Sequence, residues 1–314
     1  MKKKLLALAV AAALPMVSQA ATADVTIYGK IHTSIDYVNP DAKGADSIYD
    51  VTSRASRLGF KGSEDLGDGL KLIWKMETSY NTAEGGFGGG RNTYIGLAGG
   101  WGTFLYGRHD TPMKMSTGKL DLFVDELADY NATAGFVDIR ANDAIAYVTP
   151  SFSGLTLVGA VVPDADYDGT GDLGGAYSVA AMYSNGGLFL AAAWEQLDDL
   201  FGGANVDHWR IGAGFDMGNF HIGAVYADQG NITDSNNLQI SGAMKFGNNK
   251  VKAMWAQIDP DSGSKLNAWA IGLDHNFSKR TKMYVQYADS EAGLQSTNPS
   301  GDQSGFSFGM VHKF

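Results

Sequence analysis

The chain has 314 residues, no cysteine, 41 glycines against 7 prolines, and a formal net charge of −10. The lack of cysteine excludes a disulfide scaffold and any thiolate site, and the negative charge disfavours nucleic acid as a partner. The 15 phenylalanines and 14 tyrosines, with the abundant glycine, are typical of a protein of strands, tight turns and aromatic girdles.

Residues 1–20 have the pattern of a secretory signal peptide. Three lysines open the segment, an apolar run follows, and small residues stand at both positions of a cleavage site that ends at Ala20. The apolar run is too short to span a bilayer. Cleavage after Ala23 fits the same pattern, and this alternative stays open. The mature chain, 21–314, then carries 21 basic and 34 acidic residues, a net charge of −13.

From residue 24 onward the sequence repeats one unit, which is about ten residues of alternating polarity followed by a turn. The connections alternate between short and long, and Asn, Asp and Gly in the short ones supply the positive φ of tight hairpins. The short connections are 65–69, 99–102, 150–154, 185–187, 216–219, 247–249 and 276–279, and the long ones lie near 39–54, 81–91, 110–140, 164–173, 198–206, 229–237, 259–266 and 290–304.

Fifteen connections join sixteen strands. An even strand number, with short turns on one side and long loops on the other, is the organisation of an outer-membrane barrel. The sequence therefore predicts an all-β fold, a transmembrane antiparallel β-barrel of 16 strands formed by residues 21–314. A barrel of this size has a lumen too wide for side chains to fill, so the lumen holds water.

Charged residues are confined to one face of several predicted strands. Trp209 and Ile211 alternate with His208 and Arg210, and the last ten residues alternate large apolar side chains with small or polar ones before ending on Phe314. A lysine or arginine that faces mid-bilayer costs ~2–4 kcal/mol, whereas one that faces a wet lumen costs little. Taken alone, the last segment also fits a surface strand of a soluble sandwich, but a sandwich gives no reason for the segregated turn lengths.

Four segments resemble the general diffusion porins of Gram-negative bacteria. They are residues 24–30 and 57–64, similar to the first two strands, 102–108, similar to the strand that enters the third loop, and the terminal strand. The resemblance implies a homotrimer of 16-stranded barrels in the outer membrane, each narrowed by a third loop that folds inward. It also implies that the barrel-assembly machinery reads Phe314, and that ions and small hydrophilic solutes diffuse passively, without a cofactor or a catalytic residue.

The third long connection, 110–140, is the longest of the eight, and folding into the lumen gives a loop of this length a function. In the family, acids on this loop face bases on the barrel wall. The loop acids here are Asp121, Asp125, Glu126, Asp129 and Asp138. The wall candidates are Arg57 and Arg108 by matched motif, Lys30, Lys61, Lys71 and Lys75 by alternation, and Arg140 from the far end of the loop.

Two features qualify this charge filter. Strict alternation would point Arg108 outward, so a β-bulge or the strand end is predicted to re-aim its side chain. The chain also lacks the Pro-Glu-Phe-Gly-Gly run of enterobacterial members, and Val148 stands about where they carry an arginine. The resemblance thus carries over the pore but not the details of its filter. From the net charge and the loop acids we expect a mild preference for cations.

Residues 164–172 have the acidic spacing of a calcium loop, with Asp164, Asp166, Asp168 and Asp172 as candidate ligands. The twelfth position is a glycine and not a glutamate, which favours a plain acidic external loop over a metal site. External loops that bind divalent ions bridging lipopolysaccharide are an alternative.

Two other classes of barrel compete with a channel. An outer-membrane protease or lipase needs a catalytic constellation near the rim, for which His109 and Asp110 are the candidates. A structural or adhesin barrel needs a plug, and the sixteen units leave no segment for one.

Overall fold

The computed structural model describes residues 24–41, 46–163, 173–197, 206–296 and 301–314. The predicted signal peptide lies outside these residues. Strands dominate the described part of the chain, in which no helix is long and apolar enough to cross a membrane.

Eighteen strand segments make up the sheet. They are β1 (Asp24–Pro40), β2 (Ile48–Ser53), β3 (Arg57–Gly67), β4 (Leu70–Tyr80), β5 (Phe87–Gly90), β6 (Thr93–Gly99), β7 (Gly102–Asp110), β8 (Arg140–Val148), β9 (Leu155–Val162), β10 (Ala176–Asn185), β11 (Leu188–Leu197), β12 (Val206–Met217), β13 (Phe220–Asp228), β14 (Ser235–Phe246), β15 (Asn249–Pro260), β16 (Leu266–Asn276), β17 (Thr281–Ser290) and β18 (Gln303–Lys313). Two short helices, α1 (Pro112–Thr117) and α2 (Tyr130–Thr133), and two 3₁₀ turns, Gly118–Leu120 and Gly230–Ile232, complete the described elements.

The eighteen segments form sixteen barrel strands. β2 and β3 pair with successive parts of β1, and β5 and β6 both pair with β4, so each of these two pairs is one strand with an interruption. β1 pairs antiparallel with β18 from Lys30 opposite Lys313 to Pro40 opposite Gln303, which closes the sheet. The prediction of a closed 16-stranded antiparallel barrel is confirmed.

The connections alternate in length as predicted. Each of the seven short turns joins neighbouring antiparallel strands, and Gly186 and Gly187, at φ of 56° and 87°, make the one between β10 and β11. Two predicted long loops are partly wrong, because 39–54 contains β2 and 81–91 contains β5. For 39–54 the reason is strand pairing. β1 has 17 residues, and its second half extends beyond the end of β3, so β2 forms its hydrogen-bonded neighbour there.

The two faces of the strands differ as the alternation predicted. On β12, Trp209 is 38% exposed and Ile211 47%, whereas Arg210 and His208, between and beside them, are 0% and 1% exposed. On β18, Phe306 and Phe308 lie outward and Ser307 inward. The outer surface therefore presents an apolar band to lipid, and the charged side chains lie inside the barrel.

Candidate pore constriction

The third loop, residues 111–139 between β7 and β8, is a folded unit. Thr111 caps α1, and the Asp129 carboxylate caps α2 by accepting the Asn131 backbone N–H. Asp121 is buried and accepts the backbone N–H groups of Phe123 at 2.8 Å and Tyr130 at 3.2 Å. Burial raises the pKa of Asp121 well above its ordinary value. Two of the predicted filter acids therefore also shape the loop.

The loop packs against the inner face of the barrel through the largest buried apolar cluster. Phe123, Leu127 and Phe136, each nearly inaccessible to solvent, belong to the same cluster as Val225 of β13 and Ala256 of β15. Because these wall residues alternate with outward-facing ones, the cluster places the loop against the lumen side of the wall.

Buried ion pairs anchor the loop at two points. The Glu126 carboxylate accepts a hydrogen bond from Nζ of Lys252 and another, at 2.8 Å, from Nζ of Lys282. At the second point, Asp138 pairs with Nη1 of the fully buried Arg210 at 2.7 Å. Breaking a buried pair by removing one partner costs about 3–5 kcal/mol, so both contacts restrain the loop strongly.

Asp125 is the third-loop acid that reaches the first strand. Its carboxylate pairs with Nζ of Lys30 and lies 3.9 Å from Nη2 of Arg57. The backbone at Asp125 has φ of 63°, a left-handed conformation that non-glycine residues rarely adopt. The loop thus presents this carboxylate at a tight turn toward β1 and β3.

An open passage of about 660 Å³ lies between the third loop and the wall near β2 to β6. Ten charged residues border it, six basic and four acidic: Arg54, Arg57, Arg91, Lys114, Lys119, Arg140, Asp110, Asp125, Asp129 and Asp138. Burial raises the pKa of Asp129 to about 6, so its charge falls in mild acid.

The structure brings three of the five predicted acids, Asp125, Asp129 and Asp138, to this passage. Asp121 and Glu126 are instead buried, inside the loop and against the wall. Of the predicted bases, Arg57 and Arg140 border the passage, and Arg140 pairs with Asp110 at 2.8 Å.

The predicted lysines have other positions. Lys30 is buried against Asp125, and Lys75 pairs with Glu77 at 3.3 Å. Lys61 and Lys71 are exposed. Lys61 lies opposite Lys75 in the register of β3 and β4, and Lys71 lies close to the short turn after β3. Neither borders the passage.

Arg108 does not border the passage either, although the predicted irregularity in its strand is present. The pairing of β7 with β8 shifts register between Gly107 and His109. The Arg108 guanidinium donates to the Gly90 carbonyl at 2.9 Å and to the Asn142 side chain. These bonds hold the side chain at the loop end of the barrel.

Arg54 and Arg91 are the bases that sequence reasoning missed. Arg54 follows β2, donates to Ser34 Oγ at 2.9 Å and pairs with Asp36. Arg91 follows β5 and pairs with Glu77 at 2.8 Å. Both lie in the irregular residues that interrupt a barrel strand, where alternation gives no direction. Their one sequence signal is an arginine next to a break in the polarity pattern.

The remaining candidates are Phe314 and the calcium loop. Phe314 exchanges two backbone hydrogen bonds with Gly29, at 3.0 and 3.1 Å, and its ring covers this glycine. Asp164, Asp166, Asp168 and Asp172 lie outside the described residues. Elsewhere, the described part of the chain contains no group of three or more His, Asp or Glu side chains that could hold a metal ion.

Comparison with known proteins identifies the family. The sequence model described as Gram-negative porin matches residues 7–293. The outer membrane porin protein 32 of Delftia acidovorans is 32% identical over 354 residues, and a major outer membrane protein P.IB of Neisseria meningitidis is 29% identical over 341, each match covering both chains completely. A solved structure, the anion-selective porin from Comamonas acidovorans, superposes with a TM-score of 0.82 at 29% identity, covering 93% of this chain and 100% of that one. The chain belongs to the Gram-negative porin family and is an outer-membrane channel protein.

Proposed function

We propose that this porin is a passive diffusion channel for ions and small hydrophilic solutes whose constriction mildly favours anions. The observation that carries the proposal is the excess of bases over acids along the passage, six against four. Three of these acids are matched by a base, Asp110 by Arg140, Asp125 by Lys30 and Asp138 by Arg210. Three of the bases are likewise matched by an acid, Arg54 by Asp36, Arg91 by Glu77 and Arg140 by Asp110. The charges that have no ion-pair partner closer than 3.8 Å are then Arg57, Lys114 and Lys119 against Asp129. A permeating anion therefore meets more available positive charge than negative charge.

The cation preference expected from the sequence is not supported. It was based on the net charge of −13 and on the loop acids, but Glu126 and Asp138 are neutralised by Lys252 and Arg210 of the wall. Screening over ~8 Å at physiological salt leaves nearby charges in control, so distant acids contribute little at the constriction. The Comamonas relative is also described as anion-selective.

Part of the charge is separated across the passage, although Lys114 and Lys119 lie on the third loop beside its acids. Arg54, Arg57 and Arg91 belong to the wall, whereas Asp125 and Asp129 belong to the third loop. Opposed charges across a narrow water-filled gap produce a transverse field, which orients dipolar solutes and disfavours apolar ones. The relatives are described as porins and outer membrane proteins, which indirectly favours transport over catalysis.

The proposal extends to assembly and partners. We expect three copies to form a homotrimer in a membrane of lipid and lipopolysaccharide, with Phe314 read by the barrel-assembly machinery. The continuous outward apolar face, which includes Ile211 and Phe308, supports insertion in lipid. Family resemblance supports the trimer and the assembly signal.

Planar-bilayer recording tests the proposal. We expect conductance steps in threes, and a reversal potential in a KCl gradient on the chloride side. Neutralising both Arg57 and Lys114 to glutamine should shift this potential toward potassium, because both bases border the passage and their nearest carboxylates lie 3.9 and 3.8 Å away. In the unaltered protein, lowering the pH from 7 to 5 should shift the reversal potential further toward chloride. The reason is Asp129, whose carboxylate loses its charge as the pH falls through its raised pKa of about 6.

The matched control is Lys279→Gln, which removes a lysine from the short turn after β16, away from the passage. It should leave the reversal potential unchanged. A potential on the potassium side in the unaltered protein would reject the anion preference, and a folded protein that does not conduct would reject the channel.

A further inference from the structure

A second cavity, which we name the short-turn pocket, opens on the other side of the third loop. Its volume is about 550 Å³, and its lining includes Lys119, Leu120, Phe189, His221, Lys245 and Lys250. Lining residues also come from the turns at 185–187 and near 216. Since short turns of such barrels are periplasmic, the pocket faces the periplasm.

The pocket carries an excess of positive charge. Three lysines line it against a single acid, Asp216, which is largely exposed and hydrogen-bonds His221 at 2.9 Å. Within the described chain, Lys119 and Lys245 form no ion pair with a carboxylate. Lys250 pairs with Asp274 at 3.0 Å, but Lys252 and Lys282 share the same carboxylate. That cluster holds three lysines and only two acids, Glu126 and Asp274.

The lining of the pocket also includes apolar side chains. Nζ of Lys119 lies 3.5 Å from the centroid of the Phe189 ring and donates to Ser184 Oγ at 3.2 Å. Leu122, which is partly exposed, lies beside the lysines in the same lining, and Leu120 is fully buried next to it. A ring beneath one ammonium and two other lysines nearby match a ligand that is flat and apolar at one end and anionic at the other.

We propose that the short-turn pocket is a binding subsite for aromatic carboxylates. The carboxylate would pair with Lys245 and Lys119. Pairing would draw the Lys119 ammonium away from the Phe189 ring, and the ligand ring would take its place against Phe189 and Leu122. This inference rests on the proposed anion-conducting function in one respect. Lys119 borders both the passage and the pocket, so an anion that leaves the constriction reaches the pocket without losing its basic partners.

Benzoate, acetate and benzamide separate the two halves of the proposal. Benzoate carries both ring and charge, acetate the charge alone, and benzamide the ring alone. In planar bilayers with symmetrical KCl, benzoate on the short-turn side should reduce the current at a concentration about tenfold lower than acetate, and benzamide should have little effect. Broadening of the benzoate NMR signals by the detergent-solubilised protein measures the same binding without requiring conduction.

Two variants test the assignment. Phe189→Leu removes the aromatic ring but keeps an apolar side chain in the buried cluster, and it should weaken benzoate binding about fivefold while leaving acetate unchanged. Lys245→Gln removes an exposed charge without disturbing packing and should weaken both anions. Lys279→Gln serves as the control and should change neither.

Equal potency of benzoate and acetate would overturn the proposal, as would equal potency of benzoate and benzamide. Failure of the pocket and failure of the channel give different results. If the channel prefers chloride but benzoate and acetate are equally potent, the pocket proposal alone is rejected. If benzoate binding measured by NMR depends on Phe189 but the channel has no anion preference, only the proposed selectivity is rejected.

Discussion

Arg210 shows how one buried charge can attach the third loop to the barrel wall. Its guanidinium is inaccessible to solvent and donates to Asp138 at 2.7 Å, to the Val137 carbonyl at 2.9 Å and to Thr117 Oγ1 at 3.1 Å. It also lies 4.9 Å from the centroid of the Phe136 ring. One wall side chain thus joins the beginning and the end of the third loop, and only arginine has a planar fork with enough donors for all these partners.

Replacing Arg210 by methionine should loosen the loop and destabilise the barrel. The change leaves Asp138 without its partner, for which about 3–5 kcal/mol is typical. We expect a lower thermal unfolding temperature by circular dichroism and a larger, noisier conductance. Asp138→Asn in the same chain should restore part of the stability, because it removes the unpaired charge. Arg280→Gln, at an exposed short turn, is the control, and equal unfolding temperatures of all variants would contradict the role.

Sequence reasoning predicted some of the residues that border the passage and missed others for a geometric reason. Arg57 was predicted from a family motif and Asp125 from its place in the third loop, and both border the passage. Arg108 was also within a motif, but hydrogen bonds to Gly90 and Asn142 hold it elsewhere. Arg54 and Arg91 lie where a strand is interrupted, and alternation predicts direction only where pairing is regular.

At the scale of the element, the third loop is a folded insert that buried ion pairs and apolar packing attach to the barrel wall. Some of its acids only fold or anchor it, whereas Asp125, Asp129 and Asp138 also border the passage. Glu126 belongs to the first group, since Lys252 and Lys282 both bind its carboxylate. The sequence predicted the loop and its acids, but this division depends on packing against strands more than 100 residues away, which no local pattern contains.

Glu126→Gln keeps the shape of the side chain and removes its charge. Three lysines, at 250, 252 and 282, would then share Asp274 alone, so repulsion should weaken the attachment of the loop. We expect more frequent conductance fluctuations at the single-channel level and a stronger preference for chloride. Glu84→Gln, on an external loop, makes the same chemical change away from the constriction and should alter neither property. Unchanged fluctuations in Glu126→Gln would show that apolar packing alone holds the loop.

At the scale of the molecule, the barrel is defined by its closure. The strand number and the segregation of turn lengths were readable in the sequence, because alternation and turn residues recur around the ring. The interruptions after β2 and β5 were not readable, since they depend on which partner is left unpaired at the rim. Closure itself depends on the pairing of the first and last strands, which brings Phe314 to Gly29.

Phe314 has two separable contributions, and two variants distinguish them. Deleting the residue removes both backbone hydrogen bonds to Gly29, at 3.0 and 3.1 Å, together with the exposed ring, whereas Phe314→Ala removes the ring and keeps the bonds. If the assembly machinery reads the aromatic terminus, both variants should reach the outer membrane at a similarly reduced level, measured by quantitative immunoblotting of membrane fractions. Phe277→Ala removes another exposed phenylalanine at a short turn and should not reduce it. A normal level of Phe314→Ala beside a reduced level of the deletion would mean that the hydrogen-bonded seam, and not recognition of the ring, limits assembly.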